Sequence, residues 1–95
     1  MRLAFLSPVP PAPTGIADYS AEVLALLAPR HEIDVFHAQE TIDGSRLPGS
    51  CGVFRAGELE ARHRERPYDV VVHQMGNGPQ HAFVYAFLAR FPGQR

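Results

Sequence analysis

Residues 69–74 read Asp-Val-Val-Val-His-Gln, with three valines in a row. Side chains alternate across a strand, so consecutive β-branched residues put apolar groups on both of its faces. A strand of that kind needs cover on both sides, which a parallel sheet with helices on each face supplies. Residues 2–7, Arg-Leu-Ala-Phe-Leu-Ser, carry a second short apolar run that stops at Pro8. It reads as another buried parallel strand. These two segments commit the chain to an α/β arrangement.

The remaining elements fall between them. Pro8, Pro10, Pro11 and Pro13 forbid helix and ladder pairing, so Ser7–Gly15 is expected to be a stiff, extended loop. Ile16, Tyr19, Ser20, Val23, Leu26 and Leu27 then recur at helical spacing, with Asp18 in the first turn. Pro29 ends this helix at about Ala28. Residues 31–37 alternate Ile33, Val35 and His37 against Glu32, Asp34 and Phe36, which predicts a second strand. From Ala38 to Gly57 the pattern fades. Gly44, Pro48, Gly49 and Gly52 mark turns, and Val53-Phe54 suggests a minimal third strand. Residues 58–66 form a short polar helix with favourable i,i+4 pairs, Glu58 with Arg62 and Glu60 with Arg64. After the valine strand, Met75-Gly76-Asn77-Gly78-Pro79 is a turn, and a helix runs from Pro79 to about Arg90 before Pro92-Gly93.

Alternation of strands and helices, joined by right-handed crossovers, gives a Rossmann-like parallel sheet in the order 3-2-1-4. The chain reverses direction between strands 1 and 4. Ligands of such sheets bind beyond the carboxyl ends of the strands at that reversal. The loops Ser7–Gly15 and Gln74–Pro79 meet there, and they are also the two oddest in composition.

Composition removes several classes of function. The formal net charge of −1 gives no support to nucleic-acid binding. Cys51 is the only cysteine, so neither an internal disulfide nor a zinc-type cysteine cluster exists, and an idle or buried thiol is expected. The apolar start is too short for a signal peptide, and no run approaches the roughly 20 residues of a membrane span. A cytoplasmic protein is expected, with peripheral attachment at the inner membrane face left open. The three-glycine dinucleotide fingerprint and the P-loop are both absent, so no cofactor is expected.

Candidate site residues follow from the crevice. Gly15 at a helix start either permits a turn or lets the backbone N–H groups of Gly15 and Ile16 approach a diphosphate. His73 and Gln74 end the valine strand. Asn77 lies in the second loop, and His81 falls in the first turn of the last helix, as a proton-exchanging or sugar-binding residue or as a packing histidine. His73 with His81 lacks a third ligand, so a metal is not expected. His31, His37 and His63 read as surface or strand-end residues.

At these loops the sequence resembles the N-terminal domain of GT-B glycosyltransferases, in the retaining group called group 1 or family 4. The resemblance rests on Pro10-Pro11-Ala12-Pro13-Thr14-Gly15-Ile16-Ala17-Asp18-Tyr19-Ser20. It rests also on Tyr68-Asp69-Val70-Val71-Val72-His73-Gln74-Met75-Gly76-Asn77 with His81 beyond. It implies the acceptor-side half of a two-domain hexosyltransferase that moves a sugar from a nucleotide-diphosphate sugar to a sugar, lipid or glycan acceptor. By position, Gly15 and Ile16 would lie near the donor diphosphate. Gln74, Asn77 and His81 would lie near the acceptor or the transferred sugar, with His81 as the candidate catalytic residue. The donor-binding domain lies outside these 95 residues, so this part by itself is expected to be inactive. The alternative is a stand-alone nucleotide- or partner-binding module without catalysis. The last helix is apolar nearly all round, which fits a truncated domain and predicts self-association through Pro79–Phe91.

Overall fold

The structure is a computed structural model that describes residues 1–10, 15–74 and 84. Its elements are β1 (Arg2–Leu6), α1 (Gly15–Leu27), β2 (Glu32–His37), β3 (Gly52–Arg55), α2 (Leu59–Glu65) and β4 (Val70–His73). Short 3-10 turns occupy Gly44–Arg46 and Ala56–Glu58. The sheet has four strands in the order β3-β2-β1-β4. All three pairings are parallel, with Phe5 opposite both Val35 and Val72. The strand order agrees with the one expected from right-handed crossovers.

Both faces of the sheet are covered, as the valine run requires. On one face Leu3, Phe5, Ile33 and Val35 pack with Val9, Leu47 and the α1 residues Ala21 and Leu24. On the other, Ala4, Leu6, Phe36 and Val71 pack with Leu59 of α2 and with Tyr68. Complete burial of a Leu, Ile or Phe side chain is worth about 1.5–3 kcal/mol. The two clusters therefore dominate the stability of so small a sheet. Phe36, expected on the polar side of β2, is fully buried in the second cluster.

The face of α1 differs from the one the large apolar residues suggest. Ala17, Ser20, Ala21 and Leu24 are buried, whereas Tyr19 is 56% and Leu26 78% exposed. Small side chains form most of the buried stripe because they let the helix backbone come close to the sheet. The helix closes at Leu27, one residue before the expected end, where Ala28 N–H donates to Leu24 O at 2.9 Å and Arg30 N–H to Leu27 O at 3.1 Å.

Gly52 also departs from expectation. It begins β3 opposite Asp34 and does not form a turn. A Cβ at this position would stand 2.5 Å from Asp34 Oδ1 and 2.7 Å from the Phe54 ring, so any larger residue requires these side chains to shift. α2 begins at Leu59, continuing from the 3-10 turn. It carries the two expected ion pairs, Arg62–Glu58 at 3.5 Å and Arg64–Glu60 at 3.3 Å. The loop segment 11–14 and the helix expected over 79–91 lie outside the described residues. The exception is Val84, which is helical and fully buried. Among the described residues, no helix is long and apolar enough to cross a membrane.

Candidate functional site

The carboxyl ends of all four strands lie along one edge of the sheet, and the loops that follow β1 and β4 start side by side. Leu6 is in register with His73. The Gln74 N–H then extends the pairing by donating to Leu6 O at 3.0 Å. Gln74 is half-buried and His73 is buried. Gly15 and Ile16 are the first two residues of α1. Of the predicted site residues, Gly15, Ile16 and Gln74 thus belong to elements that share this edge. Asn77 and His81 lie outside the described residues.

The start of the loop after β1 is held by buried hydroxyls. Ser7 and Ser20 are both fully buried. Their Oγ atoms lie 2.7 Å apart, and Ser7 Oγ also donates to Pro8 O at 2.7 Å. The Ser7 N–H continues the sheet by donating to Phe36 O at 3.3 Å. This pair ties the end of β1 to the second turn of α1. Such an anchor fixes where the free N–H groups at the start of α1 are presented. Asp18, in the first turn, pairs with Arg46 at 2.9 Å, which bridges α1 to the 3-10 turn Gly44–Arg46.

Further along the edge, Gln39 binds the loop from the side of β2. The Val9 N–H donates to Gln39 Oε1 at 2.8 Å, and Gln39 Nε2 donates back to Val9 O at 2.9 Å. Gln39 is held in turn at its backbone. Its N–H donates to His37 Nδ1 at 3.0 Å, and its carbonyl accepts from Arg55 Nη1 at 2.9 Å. His37 is buried, and its pKa lies below the ordinary 6.5, first through burial and then through the charge of Arg55, against a smaller upward pull from the hydrogen bond with the Gln39 backbone. Neither Gln39 nor Arg55 was singled out from the sequence. The available signal was the lone N–H of Val9 in a run of prolines, which needs an acceptor once buried.

The other histidines have structural roles or edge positions. His63 belongs to α2, where its Nδ1 accepts from Tyr68 N–H at 3.1 Å and its ring stacks on Tyr68. It is a half-buried residue that packs on Tyr68. His31 precedes β2 and is half-buried. Cys51 is half-buried, and burial, followed by the Asp34 charge, pushes its thiol pKa up. A neutral thiol is a poor nucleophile. Among the described residues, no three His, Cys, Asp or Glu side chains come together as a metal site.

The opposite edge of the sheet holds a charged cluster. Arg2 pairs with Asp34 at 3.3 Å and with Glu32 at 3.4 Å, and it lies over the Tyr68 ring, 4.0 Å from the centroid. Arg66 reaches Glu32 at 3.1 Å, and Tyr68 Oη donates to Asp34 Oδ2. A cavity of about 170 Å³ opens there between Arg2, Arg62, Glu65 and Arg66. Its guanidinium groups are balanced by Glu32, Asp34 and Glu58, so the cluster presents no excess of positive charge.

Comparison with known protein families, with curated proteins and with solved structures finds no match for this chain.

Proposed function

We propose that this chain is the acceptor-side, Rossmann-like part of a retaining GT-B glycosyltransferase that uses a nucleotide-diphosphate sugar. The observation that carries the reading is the meeting of the β1 and β4 loops at the strand-order reversal, where Gln74 N–H bonds Leu6 O. The two sequence stretches that resemble the family's N-terminal domain flank this meeting point. A parallel sheet binds ligands at such a reversal, and a helix start with a glycine suits a diphosphate. In this reading Gly15 and Ile16 offer backbone N–H groups to the donor diphosphate. Gln74, Asn77 and His81 face the acceptor or the transferred sugar, with His81 as the proton-handling residue. A donor-binding domain would supply the remaining groups that stabilise the departing diphosphate. The 79–91 segment is where a second copy or that domain would dock.

Backbone amide NMR on this chain, titrated with UDP- and GDP-hexoses and with ATP and NAD as comparators, tests the reading. Shifts confined to Ser7, Gly15, Ile16 and Gln74, and elicited by the nucleotide sugars, are expected. Shifts centred on Arg2 and Arg66, or equal responses to ATP and NAD, would count against it. Equal responses would favour a general nucleotide-binding module. The reading frame downstream of Arg95 separates the two readings further, since the transferase requires a second Rossmann-like domain.

A further inference from the structure

We propose that His37 and Gln39 form a proton-controlled latch on the loop that follows β1, closed when His37 is neutral and released when it is protonated. The proposal concerns how the loop is held and is independent of what the crevice binds.

Between Ser7 and Ala12 the chain offers one backbone N–H, that of Val9, because Pro8, Pro10 and Pro11 have none. Val9 is fully buried, so this N–H cannot turn to water. The Gln39 amide answers it in both directions, and Nε2 also donates to Thr41 O at 3.2 Å. Asp43 N–H adds a bond to Pro10 O at 2.8 Å. The loop is therefore fastened to segment 39–43, and Gln39 is the main fastening.

Gln39 is placed in turn by His37. The Gln39 N–H can donate to Nδ1 only while that nitrogen carries no proton. Protonation would set two N–H donors against each other at 3.0 Å, and the Gln39 peptide would have to move. The Arg55 guanidinium, bound to the Gln39 carbonyl and in register with His37, opposes a positive ring from β3. Among the described residues, the other elements bring no free charge to offset this, and the upward pull of the hydrogen bond with the Gln39 backbone is smaller than the effects of burial and of Arg55. Leu6 at the end of β1 and Ser7 just after it are neutral. The 3-10 turn against β2 carries Glu58, which is paired with Arg62 at 3.5 Å. Glu40, on the same segment, is exposed.

The direction of the pH effect follows. The folded-state pKa of His37 is lower than the ordinary 6.5 of an unfolded chain. The closed latch is thus fully present above pH 6.5 and is lost as the pH falls through the folded value.

Hydrogen exchange of the Val9 amide, corrected for intrinsic pH dependence, is followed beside the His37 ring resonances through a pH titration. Val9 protection is expected to fall by about tenfold or more with the same midpoint as His37, while the Ile33 and Leu24 amides stay protected as parts of the stable core. In Arg55→Gln, both midpoints should rise together. In His37→Gln, Val9 protection should no longer depend on pH. Val9 protection that ignores the His37 titration would overturn the proposal. So would loss of Val9 and Ile33 protection together, or midpoints that separate in Arg55→Gln. Should His37→Gln fail to fold, the paired midpoints in the native chain and in Arg55→Gln decide alone.

Discussion

Gln39 serves Val9 as a substitute strand, its side-chain amide accepting from the Val9 N–H at 2.8 Å and donating to the Val9 carbonyl at 2.9 Å. A peptide group in a ladder makes the same two bonds, yet proline on either side of Val9 rules out a ladder. Gln39→Ala is expected to leave both groups of a buried residue without partners. Each unsatisfied group costs about 1–3 kcal/mol, so urea denaturation should show a loss of at least that size. Gln39→Glu keeps the acceptor and loses the donor, and should fall between the two.

The buried stripe of α1 makes a paired prediction. Leu24 is fully buried and Leu26 is 78% exposed. Leu24→Ala should cost about 2–5 kcal/mol through lost burial and a cavity. Leu26→Ala should stay within about 0.5 kcal/mol of the parent. Equal losses in thermal or urea unfolding would show the helix to be rotated from the orientation described.

Gly52→Ala tests the close approach of β3 to β2. The added methyl meets the Asp34 carboxylate and the Phe54 ring, and both must shift. Phe54 also carries the Arg62 guanidinium over its face, 3.4 Å from the centroid, which limits its freedom to move. Overpacking of this kind costs about 1–3 kcal/mol. A variant as stable as the parent would mean that β3 has room to move away.

Tyr68 gives a prediction at alkaline pH. Burial, then its bond to Asp34, raises the phenol pKa well above the ordinary 10.0. The protonated phenol is the form the fold favours. Its contribution is complete below pH 10 and is lost as the pH rises toward the folded value. Ultraviolet titration should show a tyrosine that ionises only together with unfolding. Tyr68→Phe should remove this feature and cost about 1.5–3 kcal/mol, the range for a hydrogen bond to a charged group. Arg2 still pairs with Asp34 in that variant.

The strands were legible in the sequence because their signal is local. Val70–Val72 and Leu3–Leu6 each announce two buried faces within a few residues, and the strand order follows from chirality. The periodicity of α1 points to the large residues Tyr19 and Leu26, which are exposed, and finds Ser20 but not the small buried residues Ala17 and Ala21. Helix-to-sheet contact selects for small size, and hydropathy does not register that. Gly52 reads as a turn in the sequence because the Asp34 carboxylate that crowds it lies elsewhere in the chain. The Gln39–Val9 and Arg2–Asp34–Tyr68 groupings were invisible for the same reason. Their members are 30 or more residues apart, and only the folded register brings them together. The carboxyl-edge location of Gly15, Ile16 and Gln74 was foreseeable from topology alone.

The position of β1 at the centre of the sheet has a consequence for synthesis on the ribosome. β1 leaves the ribosome before either of the two strands it pairs with. β2 can dock on one side of it once residue 37 has left the exit tunnel. The other side must wait for residues 70–73. During that interval a nascent chain would carry Leu3–Leu6 with a row of unpaired backbone groups along one side, a template for any other extended chain nearby. Crowded translation, with several ribosomes on one message, is therefore the setting in which this chain is most exposed to mispairing. Slower elongation between residues 37 and 70 would lengthen the exposure.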